Sequence, residues 1–284
     1  MSYLDWHWTF LMGVSHAYYQ LLFYKYNPFC TKMQYKSLNI PHLIAWFMKN
    51  LAFLARLEQL ELTVFTISDA ARITGDNGAG LYVFLGRLAK RGLVTSVKNG
   101  MYALRNASPN VVATSLAQPS YISFLSGLQH HGRTTQMPVE IQVVSTASHR
   151  PLEYAGHRIR LVRLPPYRVF GFSRVSEPGG TWFVGDLEKV LADSLFLPRL
   201  CPVSECWLAM NDSVDVAKLM TYAERMDSNV TVKRAGYLLE RLGYTVVTSI
   251  KTNYKYDLLN PLLPLKGARN RRWHLIINEV LEDA

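Results

Sequence analysis

Apolar residues fall into different rhythms along this chain, and the clearest change between them lies between Phe65 and Leu104. Leu81, Phe84, Leu85 and Leu88 recur at steps of three and four, the spacing of one face of an α-helix. Ahead of them, Ala70, Ala71 and Ile73 in TISDAARIT predict a shorter helix with Ser68 as its N-cap. The run GDNG, from Gly75 to Gly78, separates the two with breaker residues. Gly92, following Lys90 and Arg91, marks a helix C-terminus. Beyond it, LVTSVKNGMYAL alternates around Asn99-Gly100, a dipeptide suited to the left-handed angles of a type I′ hairpin turn. Upstream, Leu51, Leu54, Leu57 and Leu60, with Ala55, form one apolar stripe and predict a covering helix from about Met48 to Glu61.

Three helices and a hairpin in this order read as a winged helix-turn-helix, and double-stranded DNA is the partner such a unit predicts. Arg87, Lys90, Arg91 and Lys98 put positive charge on the second helix of the pair and on the wing, where it suits phosphate contacts. Asn77 and Tyr82 fall nearest to where bases would lie, and Asn99 sits at the wing tip. The first turns of the reading helix, with Ala79, Gly80, Tyr82 and Val83, carry none of the Arg, Lys, Gln or Glu side chains that read base edges. Binding is therefore expected to be stronger than sequence readout. The alternative for this unit is a protein-interaction module that holds a partner and no nucleic acid.

From Pro109 onward the pattern becomes mixed α/β, without a low-complexity linker or fixed repeat. The expected fold class is α+β: a winged helix-turn-helix over residues 48–108, then a mixed α/β C-terminal domain over 109–284. The segment NVVATSLAQPSYISFLSGLQHHGRTTQMP predicts two short helices closed by Gly132 and Pro138. Strand-like runs follow at Ile141 to Ser145 and Arg158 to Arg163, and in the second Arg158 and Arg160 alternate with Ile159 and Leu161, giving one basic and one packing face. Six arginines, no lysine and one acid, Glu153, lie between Arg150 and Arg174. That surface reads as a salt-bridged solvent face, with a second phosphate-facing surface as the alternative.

Residues 1–47 hold 13 of the 34 aromatic residues and are expected to be an extension, either sequence upstream of a start at Met33 or Met48, or an added packing helix. His7, Thr9, Ser15, His16 and Gln20 interrupt the nearly uncharged run from Trp6 to Tyr24, which argues against a membrane span. The net charge of +10 divides as +2 over 1–47, +4 over 48–110 and +4 over the remainder, so it is densest in the winged-helix region. Cys30, Cys201 and Cys206 have neither disulfide-framework nor zinc-ligand spacing, which suits a reducing cytoplasm.

No other constellation points to a catalytic or metal site. Asp186 and Asp193, seven residues apart, share a helix face, but Glu188 points nearly opposite, so the three do not form one ligand set. Asp186 reads as an N-cap, Glu188 as a first-turn charge and Asp193 as the partner of an arginine. His130 and His131 beside Gly132 suit the free carbonyls of a helix end. No nucleophile elbow or dinucleotide fingerprint is present, so no cofactor is expected, and a metal-dependent nucleic-acid or nucleotide-processing enzyme remains only the alternative reading. In KRAGYLLERLG, Tyr237, Leu238 and Leu242 form an apolar stripe, while Lys233, Arg234 and Arg241, like Arg269, Arg271 and Arg272, read as solvated charge, with contact to RNA or DNA as the alternative.

Taken in order, the winged helix, PSYISFLSGLQHHGRTTQMP, GDLEKVLADSLFLP, KRAGYLLERLG and RRWHLIIN resemble the AbiEi family of transcriptional regulators and type IV antitoxins over about residues 48–280. The resemblance implies a cytoplasmic protein whose winged helix represses its own operon. It also implies a C-terminal domain that counters a nucleotidyltransferase toxin without needing to touch it. The small reading surface of one winged helix suits binding by a homo-oligomer on DNA. Family members carry a more polar recognition helix than this one, where Gly78, Gly80 and Gly86 each cost about 1 kcal/mol of helix propensity.

Overall fold

The computed structural model describes residues 40–210, 214–249 and 253–281, with side chains from Met48 onward. The expectations made on residues 1–39 lie outside the described residues. The chain is α+β and divides between Ala107 and Ser108 into two compact units.

The first unit begins with α1 (Ile40–Gln59), which starts well before Met48. Apart from Pro41, which the first turn of a helix tolerates, no Pro or Gly interrupts it. Leu51, Leu54 and Leu57 are buried as the stripe predicts, but Leu60 lies past the helix end and is exposed. Phe53 enters the core instead, meeting the rings of Phe65 and Phe84 edge-on at 5.7 and 5.2 Å. Strand β1 (Val64–Thr66), which the periodicity did not reveal, leads into α2 (Ile67–Thr74). The N-cap of α2 is Thr66, not Ser68. Its hydroxyl accepts from the Asp69 amide while the Asp69 carboxylate accepts from the Thr66 amide, a reciprocal capping box. Gly75 closes α2 at φ 70°, and α3 (Ala79–Lys90) buries Leu81, Phe84, Leu85 and Leu88.

Strands β2 (Val94–Lys98) and β3 (Met101–Leu104) form the expected hairpin, and β3 also pairs with β1, giving the order β1-β3-β2. At the tip only Gly100 takes a left-handed angle, and the register shifts between Ser96 and Lys98. The turn is thus not type I′, which needs positive φ at Asn99 as well.

In the second unit a six-stranded mixed sheet has the order β6-β7-β5-β4-β9-β8. Its strands are β4 (Ser120–Ile122), β5 (Glu140–Ser145), β6 (Leu152–Tyr154), β7 (His157–Arg163), β8 (Phe172–Glu177) and β9 (Gly180–Gly185). Strands β5 and β7 run parallel, pairing Ile141 with Ile159 and Val143 with Leu161. Val143 and Val144 point to opposite faces and are both fully buried, so the sheet is covered on both sides there. The two short helices predicted after Pro109 are α4 (Pro109–Ser115) and α5 (Phe124–His130), with β4 lying between them. Four further helices follow, α6 (Leu187–Phe196), α7 (Val203–Met210), α8 (Val216–Arg225) and α9 (Asn229–Arg241). A small sheet of β10 (Asp257–Leu258), β11 (Ala268–Asn270) and β12 (Leu275–Ile277) completes the unit.

Charge is built into this core. Lys189 and Asp193, one turn apart on α6, form a 2.5 Å ion pair in which both side chains have 0% exposure. Tyr121 and Ser123 donate to the other carboxylate oxygen, each at 2.9 Å. Burial pushes the Lys189 ammonium below its ordinary pKa, against the pull of Asp193, and pushes the Tyr121 phenol well above its own. On α9, Lys233 and Arg234 are enclosed rather than solvated, contrary to the sequence reading. Lys233 donates to Asn253, the Lys255 carbonyl and Asp257, while Arg234 reaches the carbonyls of Leu195 and Leu258. Beside them, Gly236 lies against the Trp273 indole so closely that a β-carbon would overlap the ring.

Asp193→Ala should cost about 3–5 kcal/mol by stranding a buried ammonium, whereas the double change Lys189→Met and Asp193→Leu should recover much of that loss. Urea denaturation of the three proteins tests this, and equal midpoints for wild type and Asp193→Ala would reject it. Gly236→Ala should lower stability by about 1–3 kcal/mol through overpacking, read as a fall in the thermal midpoint.

Candidate nucleic-acid interface

The α2–α3 turn is held by its own side chains. Asp76 Oδ1 accepts from the Gly78 amide at 2.9 Å, and Thr74 Oγ1 accepts from the Asp76 amide at 3.3 Å. Gly78 is the N-cap of α3 and supplies no side-chain bond, so Asn77 is left exposed in the turn and does not cap the helix. The Asp76 carboxylate lies over the start of α3, close enough to Gly80 that a β-carbon there would come within 2.9 Å of Oδ2. A helix N-terminus ordinarily attracts phosphate, but here the protein's own anion stands in that position. Phosphate contact along α3 therefore depends on its side chains.

Those side chains form a stripe. With the leucines and Phe84 turned inward, Ala79, Val83, Arg87 and Lys90 follow one another at steps of four, four and three on the exposed side. Tyr82 is 56% and Val83 53% exposed, so Tyr82 is not a packing aromatic. Arg87 and Lys90 have no acidic partner within ion-pair distance among the described residues, and Arg91, the C-cap residue, is also exposed. Two acids of this unit are committed locally, Asp69 to the capping box and to Arg72, Asp76 to the turn.

The hairpin contributes less than the sequence suggested. Lys98 is half-buried, and the tip is tied down where the Ile67 amide donates to the Gly100 carbonyl at 3.0 Å. Asn99 is exposed at that tip, beside the first turn of α2. The predicted residues thus fall on two elements, Asn77, Tyr82, Arg87, Lys90 and Arg91 along α3 and its flanks, Lys98 and Asn99 on the hairpin.

The acidic trio of the second unit does not come together as a metal site. Asp186 is the N-cap residue of α6, but its carboxylate makes no capping bond and instead meets Lys218 at 3.2 Å and the Tyr222 hydroxyl at 3.3 Å. Glu188 also holds Lys218, at 3.0 Å, and Asp193 is the partner of a lysine rather than an arginine. Among the described residues no group of three His, Cys, Asp or Glu side chains is placed to hold a metal ion. His131 reaches the Gly185 carbonyl at 2.7 Å rather than the end of its own helix, and His130 packs edge-on to Trp182. Among the described residues no helix is long and apolar enough to cross a membrane.

No family model and no curated protein matches this chain.

Two substitutions probe how α2 and α3 are built. Gly86 has open space around it and an ordinary helical φ, so Gly86→Ala should stabilise the first unit by roughly 0.5–1 kcal/mol. Thr66→Ala, which removes the capping box, should cost about 1 kcal/mol. Thermal unfolding of both variants checks the signs.

Proposed function

We propose that residues 48–107 act as a winged helix-turn-helix that binds duplex DNA, with α3 as the reading helix and Arg87, Lys90 and Arg91 on backbone phosphates. The observation that carries this reading is the exposed stripe of α3, where Arg87 and Lys90 have no acidic partner among the described residues. Lys98 and Asn99 add contacts from the hairpin, and Asn77 and Tyr82 approach the base edges. Phosphate contacts supply affinity without sequence information, so specificity comes from elsewhere, through DNA shape or through several copies bound side by side.

The ordered blocks of the second unit that resemble the AbiEi family extend the reading to a cytoplasmic transcriptional regulator. In that role it represses its own operon and counters a nucleotidyltransferase toxin without needing to touch it. No cofactor, metal or chemical step is required of this chain. The exposed pair Tyr82 and Val83 favours one other reading, a protein-interaction module, because an apolar pair at the centre of a polar rim suits a protein partner.

Gel-shift titration of the full chain on the duplex upstream of its own gene separates the two. The double variant Arg87→Ala and Lys90→Ala should weaken binding to all duplexes and reduce the slope of log K against log salt by about two. Tyr82→Ser should leave that slope unchanged. An unchanged slope in the double variant, or no retardation of wild type at low salt, rejects the DNA reading.

A further inference from the structure

The second unit has a basic concavity that the DNA reading does not use. A cleft of about 420 Å³ lies where β7 ends and α6 gives way to its following turn, and it is lined by Arg160, Arg163, Arg168 and Arg199 over a floor of buried leucines. None of its lining residues is acidic. The sequence reading took the arginine-rich run as a salt-bridged face, and the structure divides it. Arg158 and Arg160 share one carboxylate, Glu140, at 3.7 and 3.0 Å. Arg163 and Arg199 are exposed and have no acidic partner among the described residues.

Arg168 is held differently from both pairs. Its Nε donates to the Met226 carbonyl at 2.6 Å and its Nη2 to the Asp227 carbonyl at 3.1 Å, while the guanidinium stacks 4.4 Å above the Phe196 ring. Carbonyls and a ring fix the group without cancelling its charge, so it is oriented in advance of any ligand. The carbonyl end of α6, which would repel an anion, is partly occupied, since Leu195 O accepts from Arg234 and Leu197 O from the Leu200 amide.

We infer that this cleft binds a nucleoside polyphosphate, its phosphates taken by Arg163, Arg168 and Arg199 and its apolar part resting against Pro165 and Leu197. Arginine suits this role because its planar donors match phosphate oxygens in pairs. The volume is that of a small-molecule site. A nucleic-acid strand would need a continuous basic track, and Glu140 interrupts one along β7.

Isothermal titration of the full chain with ATP and with inorganic pyrophosphate, in low salt, provides the test. Wild type should bind ATP saturably with one site per chain, and pyrophosphate more weakly. The double variant Arg163→Ala and Arg199→Ala should bind ATP at least about tenfold more weakly, the loss of two charge-assisted contacts. The matched variant Arg158→Ala and Arg174→Ala, which removes the same charge outside the cleft, should change affinity less than about twofold. Equal losses in the two variants would mean a diffuse basic surface and overturn the inference. So would the absence of saturable ATP binding, or binding of a single-stranded oligonucleotide but not of ATP.

Discussion

The second unit is organised around cations that have lost their water. Moving an ammonium or guanidinium into a protein interior costs several kcal/mol, and the cost is offset only where acceptors are placed around the group with good geometry. Lys189 meets this condition within α6, but Asp193 has a second oxygen, and Tyr121 and Ser123 of the β4 region donate to it. Satisfying one lysine therefore fixes how α6 lies on the sheet. On α9, the three acceptors of Lys233 all come from residues 253–257. Arg234 joins the last turn of α6 to β10. Apolar packing would tolerate many small displacements of these helices, whereas the bonds to buried charges tolerate few.

The first unit is built on the opposite plan. Its buried cluster is hydrocarbon and aromatic, with Phe53 wedged between Phe65 and Phe84 and Tyr102 stacked on Phe65. No charged side chain among its described residues is part of that buried cluster. The basic excess of this region remains on the surface, except where Asp69 and Asp76 are used to start helices and set the turn. A surface cation in high dielectric contributes little to stability, so Arg87 and Lys90 are available for a ligand at small structural cost.

This difference explains what could be read from the sequence. Apolar periodicity located α3, the lower part of α1 and the hairpin, because in each the solvent face and core face differ in polarity. The two helices after Pro109 exist, but the first is buried at Val111 to Thr114 in succession and neither ends at Pro138. Periodicity did not find β1 or β4, whose three residues are too few to show alternation. It placed the cap of α2 at Ser68, where Thr66 has the reciprocal partner three residues on, a spacing present in the sequence. The largest misreading fell on Lys233 and Arg234. A hydropathy pattern assigns charged residues to solvent, and their acceptors come from segments about twenty or more residues away, so no local signal marks them as buried. The same limit applied to the arginine run, where Glu140 had to be brought alongside by the parallel pairing of β5 and β7 before the paired and unpaired arginines could be told apart.

The two basic surfaces differ in shape, and shape decides what each can take. On α3 the cations stand along a convex helix, each on its own flexible stem, an arrangement that suits a repeating polyanionic backbone, where affinity would come from released counterions. In the cleft of the second unit the cations line a concavity, and one of them is already immobilised by carbonyls and a ring. Immobilisation gains little against a long polyanion that can slide past, but it lowers the ordering cost for a small ligand that must be held in one pose. Affinity on α3 should therefore fall steeply and smoothly with salt, while the cleft's should depend more on the pairing of a few fixed donors with a few oxygens. If both proposals hold, the convex surface would answer to salt and the concave one to the fit of a particular anion, so the two could be told apart by how each affinity changes with ionic strength.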